Sequence, residues 1–374
     1  MKMKYRSVLW AALLVTLVTG STVGGEPNAA SQIRPWKMRT FMISHWGFPS
    51  DEKQLKRFAQ AGFNTVIAVP EQLPECRKYG WKALLAVSAD KADTYVDDSV
   101  VWGYHLFDEP ARKNIPYKKF VKKMEAFHKL DAARPAYINL NEEDDPTSFI
   151  KILKPRVLSY DYYQWWAKPE PFFPLLEKFR RAALEANIPL VCWVEAVVVP
   201  SGPIPADNEV KIRHSVYSAL VYGVKGIQWW AWRPYNDDAA KINAELKVLG
   251  PVLVKLRSVG VFHTSPIPKQ TRGLPAESWA QSSTENLLLG FFKNDEGHDF
   301  ILLANRNWKA AGTAVLTFPR SVLSVTMLDR KTDKWVEHPL AKKDAQQTLS
   351  HELAPGDGML LRVVRKKVTK KSPR

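Results

Sequence analysis

Between residues 40 and 256 the chain alternates short apolar runs with amphipathic stretches. The runs cover 41–46, 65–69, 83–87, 101–107, 136–140, 157–162, 190–194 and 226–230. Each is short and rich in β-branched or aromatic residues, without polar alternation. That is the pattern of strands buried on both faces. Most of the intervals read as helices. In 51–61, Leu55, Phe58 and Ala59 share one face and Gly62 ends the pattern. Stretches 120–130, 172–186, 210–222 and 239–256 behave alike, whereas 88–98 reads as a loop. Eight strands alternating with helices predict a (β/α)8 TIM barrel over 38–258. An open doubly wound sheet is the alternative, but no G-x-G-x-x-G follows any run.

Beyond residue 258 the pattern changes. Segments 279–292, 300–305, 312–318, 322–329, 335–338, 347–353 and 359–364 are strand-like, and turn residues such as Gly356-Asp357-Gly358 separate them. They predict a small C-terminal antiparallel β-sandwich over 259–365. No internal repeat is present.

The ends carry different information. Residues 1–21 have a basic start, an apolar core over 8–18 and small residues after it, the pattern of a cleavable secretory signal. The core is too short to span a bilayer comfortably. Residues 22–37 then read as a linker, 366–374 as a solvated basic tail, and the chain as exported to the periplasm or beyond. Export permits a bond between Cys76 and Cys192, although the apolar surroundings of Cys192 predict a buried free thiol.

The formal charge is +16, of which nine charges lie in the first six and last ten residues, leaving +7 for the body. A basic body is compatible with an acidic glycan. The 14 Trp demand a different explanation from charge.

In a barrel, chemistry sits where the strands end. The runs here close on His45-Trp46, Asp108-Glu109-Pro110, Asn141, Tyr160-Asp161-Tyr162, Glu195, and Trp229-Trp230 with Trp232. Glu109 and Glu195 end the fourth and seventh runs, on opposite sides of the predicted mouth. Two carboxyls across a cleft cleave a glycosidic bond when one acts as acid and the other as nucleophile or base. A bland reading makes Asp108 and Pro110 the start of a helix, and leaves Glu109 unexplained. Trp46, Trp165, Trp166, Trp229, Trp230 and Trp232 lie at or just past strand ends and offer flat faces to sugar rings. Trp229 and Trp230 point opposite ways on a strand, so one of them lines the mouth. His45, Asp108, Asn141, Tyr160 and Tyr162 complete the candidate sugar contacts. No histidine cluster, H-E-x-x-H or G-x-S-x-G is present, so neither a metal, a cofactor nor a serine triad is implied. No RNA-binding motif accompanies the basic residues.

This arrangement resembles the clan A glycoside hydrolases over residues 38–256. The resemblance rests on Asp108-Glu109-Pro110 after run four and Glu195 after run seven. It implies a retaining enzyme, with Glu109 as acid/base, Glu195 as nucleophile, and Trp229 or Trp230 stacking on the sugar. The fourth run, Gly-Tyr-x-x-x-Asp-Glu-Pro, is loosely similar to family 42 β-galactosidases. One departure is Asp108, where that family usually has Asn. Two rivals follow from the same residues. One is a noncatalytic carbohydrate-binding protein on the same scaffold; the other is a hydrolase whose key acid is Asp108 or Asp161.

Overall fold

A computed structural model describes residues 36–199, 201–233, 236–343 and 345–366. The signal-like segment, most of the linker and the tail from 367 onward lie outside them. Eight parallel strands close into a barrel: β1 (Met42–His45), β2 (Thr65–Ala68), β3 (Lys82–Leu85), β4 (Val101–Asp108), β5 (Ala136–Leu140), β6 (Leu158–Asp161), β7 (Leu190–Glu195) and β8 (Gly226–Trp230). β8 pairs with β1 through Met42 opposite Gly226 and His45 opposite Trp229, which closes the ring.

Among the described residues seven α-helices pack outside: α1 (Glu52–Gln60), α2 (Leu73–Tyr79), α3 (Val121–Leu130), α4 (Pro146–Leu153), α5 (Phe172–Glu185), α6 (Asn208–Val221) and α7 (Asp238–Leu253). Asp51 caps α1 by accepting from the Gln54 N–H at 2.8 Å. The interval before β4 holds only a short 3-10 turn, as its sequence predicts. Helices α2 and α4, of seven and eight residues, are additions that a 3.6-residue period cannot reveal at that length.

Alternation along the strands sorts the side chains into two cores. Ile43, Val66, Ala83, Leu85, Ile138, Tyr160, Val194, Ile227 and Trp229 face the helices. Met42, Leu84, Tyr137 and Val191 fill the lower barrel interior. Gly226 belongs to this layer, because a Cβ there would lie 2.6 Å from the Met42 Cβ. Above it lies a polar layer. The Gln228 amide donates to the Tyr137 hydroxyl at 2.9 Å, and the Ser159 hydroxyl donates to Asn139 Oδ1 at 2.7 Å. Such a network persists in a core because its members satisfy one another.

The C-terminal strands are β9 (Arg257–His263), β10 (Leu287–Lys293), β11 (Asp299–Asn305), β12 (Gly312–Pro319), β13 (Val322–Asp329), β14 (Lys334–Glu337), β15 (Ala341–Lys343), β16 (Gln346–Leu353) and β17 (Gly358–Arg365). They form a six-stranded sheet, β14-β13-β17-β11-β10-β9, and a three-stranded sheet, β12-β16-β15. The long strand-like segment 279–292 shortens to β10, preceded by turns and an isolated bridge from Gln281 to Thr317. An ion network fastens this unit to α6 and α7. Arg330 bonds Asp357 at 2.7 Å and Glu245 at 2.7 Å, and Arg213 bonds Glu245 at 2.7 Å. The Tyr217 hydroxyl donates to Glu245 at 2.6 Å.

Cys76 and Cys192 are free and buried, matching the free-thiol expectation. Among the described residues no helix is long and apolar enough to cross a membrane.

Candidate active site

Strand alternation places Trp46, His105, Asp108, Asp161, Trp193, Glu195 and Trp230 toward the upper interior of the barrel. Their ring contacts agree. Trp46 meets His105, Trp193 and Trp230 edge-on at 5.7, 5.4 and 5.8 Å between centroids. Tyr163 stacks on Trp230 at 6.3 Å and tilts against Trp166 at 5.5 Å. Trp46, Tyr163, Trp166 and Trp230 are half-buried, so they form an aromatic wall with accessible edges.

Glu109 stands just past β4. Its N–H donates to the Asn139 carbonyl at 2.9 Å, extending the barrel ladder by one bond. Its φ is +49°, in the left-handed region. A non-glycine residue there costs about 1–2 kcal/mol, and strain of this kind gathers at functional sites. A bulge in β4, between His105 and Phe107, shifts the register just before it. No helix begins at Asp108; turns follow, and the next α-helix is α3. The helix-start reading of Asp108 and Pro110 therefore fails. Asp108 instead accepts from the Asn139 amide at 3.3 Å and pairs with Lys113 at 3.5 Å.

Glu109 is 13% exposed at its side chain and pairs with Arg112 at 2.7 Å. The same guanidinium donates to Glu142 at 3.1 and 3.2 Å. Burial raises the Glu109 pKa, Arg112 opposes the rise, and Asp108 adds to it. Asp161 ends β6, 5% exposed, and accepts from the Tyr163 hydroxyl at 3.2 Å. Burial holds its carboxyl well above the usual range, and the charges of Glu109 and Asp108 push the same way. Glu109 and Asp161 thus share an electrostatic environment. Across the rim, Glu195 is 0% exposed. Its Oε1 accepts from the Trp165 backbone N–H at 3.0 Å, and its Oε2 has no hydrogen-bond partner among the described residues. Burial pushes Glu195 up to about 8, against the pull of the Trp165 N–H.

The remaining predicted contacts are dispersed. Trp229 faces outward, fully buried, and donates to Asn243 of α7 at 2.8 Å. Trp230 is therefore the member of the pair at the mouth. His45 and Trp232 also lie among outer-layer aromatics: their rings are 5.5 Å apart, and both meet Phe58 and Phe63. Burial holds His45 at about 4, neutral near pH 7. Tyr160 stacks on Phe179 of α5 at 4.2 Å. Tyr162 is buried, its hydroxyl bonded to the Lys168 carbonyl. Asn141 is buried in the loop after β5, its Oδ1 accepting from the Glu143 N–H at 3.0 Å. These placements correct the expected sugar contacts at His45, Asn141, Tyr160, Tyr162, Trp229 and Trp232. For His45, Tyr160 and Trp229 the reason is parity, because on a strand every second residue faces the helices; Asn141, Tyr162 and Trp232 lie past the strand ends and are buried by loop packing.

Sequence reasoning passed over Arg112 and Trp193. Counting back by twos from Glu195 finds Trp193, which donates to the Tyr137 hydroxyl at 2.8 Å. Arg112 follows Glu109 by three positions in the turn, which no strand pattern signals. Among the described residues no cluster of three His, Cys, Asp or Glu is arranged to hold a metal ion.

No protein-family model matches this chain, and no curated protein matches it in sequence. Solved structures match it in fold. A family 27 β-L-arabinopyranosidase from Geobacillus stearothermophilus superposes with a TM-score of 0.53 at 10% identity, over 90% of this chain and 98% of the other. A single-residue variant of that enzyme, in complex with arabinose, gives 0.52 at 10% identity over 88% and 98%. A Bacteroides fragilis protein provisionally assigned as an α-galactosidase gives 0.53 at 9% identity over 88% and 80%. The chain shares the fold of these glycoside hydrolase structures, a closed (β/α)8 barrel with antiparallel sheets at its C-terminal end.

Proposed function

We propose that this protein hydrolyses O-glycosidic bonds of a carbohydrate at the open end of its barrel. The observation that carries the reading is the pair Glu109 and Asp161. Two carboxyls ending β4 and β6 lie within each other's field, and their surroundings differ. Burial raises the Glu109 carboxyl, and Arg112 opposes that rise and stabilises its anion. Burial supports a protonated Asp161. A neutral acid beside an anionic carboxylate is the division of labour glycoside cleavage needs. Asp161 gives its proton to the leaving oxygen as the bond to the anomeric carbon breaks. Glu109 attacks that carbon, or takes the proton of an attacking water. The Trp46, Tyr163, Trp166 and Trp230 wall stacks on the sugar, with Glu195 enclosed and neutral at pH 7 beside it.

A second reading keeps the pair that the sequence picks out, with Glu109 as acid/base and Glu195 as nucleophile in a retaining mechanism. It is favoured by the buried, unpartnered Glu195 Oε2. Carboxyls outnumber cations around the mouth: Asp108, Glu109, Glu142, Asp161 and Glu195 against Arg112 and Lys113. That balance favours a neutral sugar over an acidic one. The likeness to family 42 remains one of sequence motif. The signal-like residues 1–21 support an exported enzyme as part of the same reading.

The test is a panel of aryl glycosides and neutral oligosaccharides with E109Q, D161N and E195Q. Turnover that collapses in E109Q and D161N, and survives in E195Q, supports the first reading. Collapse in E109Q and E195Q with D161N active moves the assignment to the second. Glycan binding without turnover by the unmodified protein would sink both and leave a carbohydrate-binding scaffold.

A further inference from the structure

Glu195 owes its hydrogen bond to Trp165, and two parts of the molecule hold Trp165 in place. On one side is α6: the Trp165 indole N–H lies 3.0 Å from both the Lys211 carbonyl and the Ser215 hydroxyl. The neighbouring Gln164 amide also donates to Ser215, at 2.8 Å. On the other side is Trp308, in the β11–β12 loop of the sandwich. Its ring meets Trp165 edge-on, 5.3 Å between centroids at 79°. The Lys211 ammonium lies 4.9 Å from the Trp308 ring and 5.6 Å from the Trp165 ring.

The loop carrying Trp308 is itself fixed. Asn305 Oδ1 accepts from the Asn307 N–H at 2.9 Å, and Asn307 Oδ1 accepts from the Lys309 N–H at 2.9 Å. The Gly356 N–H donates to the Asn307 carbonyl at 3.2 Å. Docking of the sandwich has its own means in the Arg330, Asp357 and Glu245 network. Trp308 reaches the barrel apart from that network, at the residue whose N–H meets Glu195.

We propose that Trp308 is a positioning residue for the barrel site: it holds the 163–166 turn so that the Trp165 N–H stays aimed at Glu195. The sandwich thereby contributes to the site without touching the sugar. The inference rests on the reading of Glu195 as a group of the proposed carbohydrate site. It goes further by giving the second unit a role in shaping that group. Edge-to-face aromatic contacts of this kind are specific in geometry as well as favourable, and a backbone N–H on a carboxylate oxygen shifts both its charge and its orientation.

The experiment uses the full chain with W308A, W308F and W308L. Two quantities are read: the titration of Glu195 by carboxyl difference infrared spectroscopy against an E195Q background, and kcat and KM on the best glycoside from the panel above. In W308A the Glu195 midpoint moves by about one pH unit. The move is upward if the N–H alone is lost and downward if water follows. KM rises about tenfold with a smaller change in kcat, and W308F restores both. W308L keeps the bulk without the ring, and carries the test if W308A does not fold. A folded W308A or W308L whose Glu195 midpoint and KM equal those of the unmodified protein would overturn the inference. If the unmodified protein turns over no glycoside, the infrared titration still decides the role of Trp308, and only the hydrolase reading falls.

Discussion

Two parts of one barrel rim bury the same kind of side chain beside different neighbours. At the ends of β4 and β6, Glu109 and Asp161 share a charged neighbourhood, with Arg112 against Glu109 at 2.7 Å. At the end of β7, Glu195 is fully enclosed, with the Trp165 N–H on it and no cation beside it among the described residues. Residue type does not decide whether a carboxyl is an acid or a base near neutral pH. A nearby guanidinium favours the anion, and loss of water favours the neutral form. Burial raises the carboxyl on both sides; on the β4 side a guanidinium opposes it, on the β7 side only a backbone N–H does, and Asp161 combines burial with like charge.

The largest expected effect tests the β4 side. E109Q keeps the shape and removes the charge, and should lower kcat by about 10³-fold with KM nearly unchanged. Steady-state kinetics with the best substrate check this; a loss below tenfold would remove Glu109 from the chemistry.

Stability against pH tests the β7 side. The folded-state value of Glu195, about 8, lies above the unfolded one, so the folded state binds the extra proton between them. Stability from this group is then full below about pH 4.3 and falls as pH rises toward 8. E195Q abolishes that dependence. It should be more stable than the unmodified protein at pH 8, by on the order of 3 kcal/mol, and close to it at pH 4.5. Urea melts at the two pH values read this directly, and an equal difference at both would mean that Glu195 is not held neutral.

Removing the cation that separates the two sides should blur the contrast. Arg112 pulls the Glu109 carboxyl down, so R112A moves it up. The acid limb of the pH–rate profile should shift by about one pH unit to higher pH. An unmoved limb would disconnect Arg112 from the group that limits turnover.

The smallest effect separates the paired tryptophans. W230A should raise KM about tenfold by loss of stacking. W229F should leave KM alone and cost about 1 kcal/mol through the lost Asn243 bond, read by urea melts. Equal KM effects would refute the assignment of opposite faces.

Much of this architecture was legible in the order of residues. Eight apolar runs separated by amphipathic stretches specify a barrel, because a parallel strand must be covered on both faces. The strand-end rule led to Asp108, Glu109, Glu195, Trp46 and Trp230, since loops and strand ends tolerate polar residues that strand interiors do not. The same rule also gathered His45, Tyr160 and Trp229, which the fold turns toward the helices. Trp232 was drawn in by the same proximity and packs with His45. A residue's distance from a strand end is written in the sequence, but its facing depends on a register that a single bulge or turn resets.

What the chain by itself determined is the alternation of strand and helix, the antiparallel unit that follows, and the concentration of carboxyls and tryptophans at strand ends. These are local patterns, fixed by the spacing of apolar side chains. Tertiary structure decided the rest. It set Glu109 in a left-handed turn against Arg112, brought Asp161 into its field, enclosed Glu195, and carried Trp308 from the sandwich to Trp165 across 143 positions of chain. Each of those depends on burial and on charges from distant segments, and both act through space, which the order of residues does not record.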